Sequence, residues 1–171
     1  MQRLTREYGP FSGQCFSRFT LLTVVLVLWI SGFDSAHAAW VGSPSGYNVT
    51  TCEIAALPLD ENHSLVTIHG KGLILTAPNS PDNMSQVECL GTVENMPDKS
   101  FKASGFCLVT DRDGDKWVDR WWADSTMPKG RWEDTGISGK WKNLKRTGSY
   151  VYTDRSTESN CRGISAWEAD R

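Results

Sequence analysis

The chain has 171 residues, 39% of them hydrophobic and 22% charged, the proportions of one globular domain rather than of a disordered or fibrous chain. Its 18 basic residues are outnumbered by 20 acidic ones, for a net charge of −2. That balance argues against a nucleic-acid binder, since phosphates call for a basic face. Lys140, Lys142, Lys145 and Arg146 form a local basic cluster, and a solvated strand face accounts for it.

Residues 1–38 read as a secretory signal peptide. Arg3, Arg6 and Arg18 supply the positive region, Leu21 to Ile30 an apolar run, and Ala36-His37-Ala38 the small residues of a cleavage site. The apolar stretch 19–33 is shorter than the roughly 20 residues a spanning helix needs, which disfavours the alternative of an uncleaved anchor. The protein is therefore expected in the periplasm or outside the cell, with no membrane span after cleavage. Four cysteines lie beyond the signal: Cys52, Cys89, Cys107 and Cys161. An even number in an exported chain suits two disulfides, with four buried free thiols as the alternative. The absence of any C-x-x-C pair disfavours a structural metal.

Residues 39–47 read as a flexible, unpaired lead-in, and residues 48–171 as the folded domain. The first strand is expected at 48–56, broken by Leu57-Pro58 and Asp60-Glu61-Asn62. The second runs over 64–76, where Gly70 and Gly72 suggest the bend of a curved sheet. Residues 77–83 are a loop. Residues 86–94 and 101–109 alternate in polarity around a turn at 95–100 and form a hairpin. Symmetric pairing about Asp98 sets Cys89 opposite Cys107, within reach of a bridge. Cys52 is then left for Cys161, joining the first strand to the last, although four cysteines allow three connectivities. After an acidic turn, Lys116 to Trp122 reads as a strand with Trp117, Asp119 and Trp121 on one side. Further strands are expected at 130–134, 136–141, 147–153 and 162–168. No window of 12 or more residues in this part shows a convincing helical apolar period. The expected fold is all-β, a single small antiparallel barrel of about eight strands, whose closure removes the edges a sheet must otherwise protect.

Three segments carry a family resemblance. They are Gly105-Phe106-Cys107 with the turn Asp111-Arg112-Asp113-Gly114-Asp115, then Gly136-Ile137-Ser138-Gly139-Lys140-Trp141, then Gly148-Ser149-Tyr150. Together they resemble the allene oxide cyclase barrel-like group, which includes small exported bacterial proteins of unknown role. The resemblance implies an eight-stranded, lipocalin-like barrel. It does not imply cyclase activity, because that enzyme's catalytic residues cannot be placed here one by one. Asn143 and Arg146 also stand where such proteins usually carry more glycine.

The acidic turn is the sharpest local signal. Asp111, Asp113, Asp115 and Asp119 occupy positions 1, 3, 5 and 9 of a calcium loop, where alternate carboxylates converge on one hard cation. Lys116 stands where such a loop needs glycine, and Trp122 where it needs glutamate. A hairpin turn is therefore preferred, with Ca²⁺ as the alternative; no other cofactor is expected. Trp117, Trp121, Trp132 and Trp141 could line a cup for an apolar or planar ligand, against the plainer expectation that they fill the core. Catalytic residues are not assignable. His63 and His69 are the histidines left after cleavage, and no G-x-S-x-G, H-E-x-x-H or P-loop is present. Glu133 and Asp134 are conceivable acid/base carboxylates, against a solvated turn, and His69 a conceivable base at a barrel mouth, against an ordinary strand histidine. Asn48, Asn62 and Asn83 head glycosylation sequons that matter only in a eukaryotic secretory pathway. The expected role is binding a small apolar or planar molecule, or an extracytoplasmic interaction. The alternatives are an isomerase- or cyclase-type enzyme on such a ligand, and a calcium-stabilised structural barrel.

Overall fold

A computed structural model describes residues 42–155 and 161–170; the expected signal peptide lies outside the described residues. Eight strands follow one another: β1 (Ser45–Asp60), β2 (His63–Leu75), β3 (Ser85–Asn95), β4 (Phe101–Thr110), β5 (Lys116–Asp124), β6 (Gly130–Gly136), β7 (Lys145–Arg155) and β8 (Cys161–Ala169). Each pairs with the next, and β8 pairs antiparallel with β1, which closes a barrel. The expected all-β barrel is the one formed.

The β3–β4 hairpin has the register the alternation implies. Cys89 opposes Cys107, and the two form a disulfide. Cys52 is also disulfide-bonded, and its backbone partner across the β1–β8 seam is Cys161. That pair is the last rung of the seam among the described residues.

Three segments differ from expectation. Ser45 to Tyr47, expected in the lead-in, belong to β1. The break expected at Leu57-Pro58 does not occur, and β1 runs on to Asp60 with a register irregularity between Pro58 and Asp60. Beyond Cys52 no rung to β8 remains among the described residues. Proline has no N–H to give, and an edge is where a strand tolerates it. The strand expected at 136–141 is instead a turn of 3₁₀ helix, η1 (Gly139–Trp141). Gly139 takes φ 54° there, a left-handed conformation that glycine adopts freely.

One end of the barrel is plugged. Trp141 from η1 is fully buried and meets Trp117 with ring centroids 4.6 Å apart. Above this plug the interior aromatics lie against the wall instead of crossing the lumen, because glycines on neighbouring strands leave room. A Cβ at Gly91 or Gly105 would come within 2.4 Å of the Trp121 ring, one at Gly148 within 2.2 Å of Trp132, and one at Gly130 within 2.2 Å of Tyr150. An eight-stranded interior is just wide enough for side chains to fill. Flattening the rings keeps part of it open.

Candidate functional site: an aromatic cavity with a charged floor

The site is built along one continuous row of backbone pairs. Cys52 opposes Gly70, Gly70 opposes Cys89, and Cys89 opposes Cys107. Cys107 opposes Asp119, Asp119 opposes Asp134, and Asp134 opposes Arg146. All seven face the interior. A row that begins with disulfide sulfur on β1 thus ends, on β5, β6 and β7, in three ionisable groups.

These groups border a cavity of about 420 Å³, within the size range of small-molecule sites. Trp117, Trp121 and Trp132 line it, as do Tyr150, Tyr152 and Trp167. Trp141, expected with the first three, is not on the lining; it packs beneath Trp117 as part of the plug. Ile54, Ile68, Val93 and Ala103 supply apolar wall toward the other end.

Arg146 organises the floor. Its Nε donates to Asp134 Oδ2 at 2.9 Å, its Nη2 lies 2.7 Å from the same oxygen, and its Nη1 donates to Asp82 at 3.3 Å. Its guanidinium carbon stands 6.0, 5.7 and 5.8 Å from the ring centroids of Trp117, Trp132 and Trp167, a cage of π faces that attracts a cation. Asp82 is fully buried and saturated: Ser43 N–H, Thr76 Oγ1 and Ser80 Oγ also donate to it. The solvated face expected for Arg146 is therefore wrong. Its side chain is 9% exposed, turned inward by the parity it shares with Gly148 and Tyr150.

Asp119 is the unfinished member. It lies deep in the barrel, its remaining exposure is to the cavity, and Oδ1 has no hydrogen-bond partner in the protein. Burial pushes its carboxyl well above the usual range, the charge of Asp134 adds to the rise, and Arg146 only partly opposes it. Burial likewise raises Asp134, against the pull of Arg146, to about 6. Two other lining residues have an unpartnered buried atom, Asn48 Oδ1 and Trp167 Nε1. Buried polar atoms are normally satisfied, so these require a partner from outside the protein, water or a ligand.

The acidic turn forms a separate structure at the plugged end. Asp111 Oδ1 accepts the N–H groups of Asp113 and Asp115, and Oδ2 accepts Trp141 Nε1 at 2.6 Å. Lys140 Nζ stands 2.6 Å from Asp111, 2.6 Å from Asp113 and 3.5 Å from Asp115. An ammonium thus stands at the centre of the turn, where calcium was the alternative to the preferred plain hairpin turn, and Asp119 does not join the other three. Among the described residues no three His, Cys, Asp or Glu side chains are grouped as a metal site needs. Burial favours the neutral Asp111, but the hydrogen bonds from Lys140, Trp141 and the backbone outweigh it and hold the carboxyl below its usual range.

The remaining candidates divide by parity. Asp134 points inward while Glu133 is on the outer parity, opposite Thr147. His69 is also on the outer parity and meets Glu88 at 2.8 Å; it is no base at the mouth. Asn48 faces the cavity, which removes it as a glycan acceptor in the folded state. Arg146, Asp82, Tyr150 and Trp167 were missed. For Arg146, Tyr150 and Trp167 the signal was strand parity. For Asp82, in a loop, there was none.

Fold and site together define a closed eight-stranded β-barrel with a plugged end, an aromatic cavity and an ionic floor. No protein-family model matches the chain, and no curated protein matches it.

Proposed function

We propose that the protein is exported and binds a small, partly apolar molecule with a planar body inside the barrel. One observation carries this reading: an aromatic-walled cavity of about 420 Å³ whose lining holds buried polar atoms with no partner in the protein. A lumen packed by its own side chains would leave neither feature. The disulfide-bonded cysteines fit an oxidising compartment. Two of the segments that carry the resemblance to the allene oxide cyclase barrel-like group, the acidic turn and residues 136–141, meet at the plugged end, where Lys140 and Trp141 bind Asp111; kinship with that group is part of this proposal. The test is binding of a neutral apolar dye, Nile red, to the wild type and to Ala103→Trp, which fills the lumen. One-to-one binding lost in the variant is expected. Equal binding by both, or by neither, ends the reading.

A second reading is favoured by one specific feature. Asp119 and Asp134 are opposed on adjacent strands inside the cavity, both with raised carboxyl pKa values. Such a pair can pass a proton, as an isomerase on the same ligand would require. Incubating a bound ligand with the wild type and following its structure by NMR tests it. A ligand recovered unchanged at every pH between 5 and 8 rules it out.

A further inference from the structure

We infer that the cavity takes an organic cation, a small molecule with an apolar or planar body and one protonated amine, seated with its ammonium group against Asp119. The inference rests on the cavity-binding reading above and specifies the chemistry of the guest.

Three observations converge on it. The first is charge. Three carboxylates, Asp82, Asp119 and Asp134, surround one guanidinium, and Arg146 makes its ion pairs with Asp82 and Asp134. Asp119 feels the charge of Arg146 but has no ion pair with it. The other cation on the lining, Arg162, is at the start of β8, toward the opposite end of the barrel. An anionic guest such as a fatty acid would reach the floor with its own charge facing an excess of carboxylate.

The second is hydrogen bonding. Asp119 Oδ1 and Asn48 Oδ1 both line the cavity and both lack a donor. Asn48 Oδ1 and an ionised Asp119 are acceptors that N–H groups of a guest would match, while the unpartnered Trp167 Nε1 is a donor left to water or to an acceptor on the guest's body. A carboxyl group buried without a partner is costly, and an ammonium supplies both the charge and the donors.

The third is the wall. The negative faces of indole rings stabilise a cation, and this floor already holds one that way, since three tryptophans surround Arg146. Trp121 and Tyr150 extend the aromatic surface above it. A body that stacks on rings and a head that is positive meet complementary surface at both ends.

Isothermal titration calorimetry at pH 7 with three probes of one shape tests the inference: 2-phenylethylamine, 2-phenylethanol and phenylacetate. The amine is expected to bind roughly tenfold or more tightly than the alcohol, and the acid more weakly than either. In Asp119→Asn the preference of amine over alcohol is expected to vanish. The inference is overturned if the alcohol or the acid binds wild type as tightly as the amine, or if Asp119→Asn keeps the preference. The wild-type series decides alone should the variant not fold. If none of the three probes binds while Nile red does, this inference falls and the cavity reading stands. If Nile red also fails, both fall.

Discussion

The acidic turn and the cavity floor use the same residue type to opposite ends. Asp111 is buried, yet it accepts two backbone amides, an indole and an ammonium, and its carboxyl is held low. Asp119, eight positions on, is half-buried, with a buried unpartnered oxygen and another carboxylate across the ladder, and its carboxyl is driven up. Burial pushes both carboxyls up, and harder at Asp119. The number of donors that reach each group decides the direction. The saturated cluster locks one end of the barrel, and the unsaturated one is left available for chemistry or binding.

Mutation should separate the two regions by size and sign of effect. Arg146→Met removes the cation shared by Asp82 and Asp134 and is expected to cost about 3–5 kcal/mol, the penalty for breaking a buried ionic network. Urea denaturation measures it, and a loss under 1 kcal/mol would mean the floor does not depend on that guanidinium. The pH dependence comes next. A carboxyl raised in the folded state binds its proton more tightly there than in the unfolded chain. Its stabilising effect is therefore complete below 3.8 and lost as pH rises through the folded value. For Asp134 that window runs from 3.8 to about 6, worth on the order of 3 kcal/mol, and Asp119 extends it upward. Asp111 has the opposite sense, its contribution being lost only in more acid solution. Thermal denaturation should show a higher midpoint at pH 5 than at pH 8, with a flatter profile in Asp119→Asn. A midpoint that climbs steadily toward pH 8 would contradict the assignment.

Smaller effects sharpen the contrast. Asp111→Ala strands Trp141 Nε1 and two backbone amides and is expected to cost about 1–3 kcal/mol, read by the same denaturation. Lys140→Met should cost about 1 kcal/mol or less, because its ammonium is partly solvated and such pairs contribute little. A larger loss from Lys140→Met than from Asp111→Ala would show that charge, rather than hydrogen bonding, closes the plugged end.

Much of the barrel was legible because it depends on local alternation. The β3–β4 register followed from a symmetric turn at Asp98, and the shared side of Trp117, Asp119 and Trp121 from period two. What lay hidden depends on distant partners. Arg146 looked like part of a lysine-rich surface; Asp82, 64 residues away in sequence, and Asp134 draw it inside. The 136–141 segment had the composition of a strand. It becomes a plug because Trp141 reaches Asp111 and packs on Trp117. Asp119 fitted a calcium spacing, but the strand that begins at Lys116 carries its side chain away from the turn.

The glycines beneath the rings have an outcome for heredity. At Gly91 and Gly130 the nearest obstacle to a methyl group is a ring, that of Trp121 or Tyr150, rather than main chain. A change of one nucleotide that makes either an alanine would tilt an aromatic plate inward and narrow the bore. Descendants of this gene could thus resize the cavity at positions hidden behind the plates.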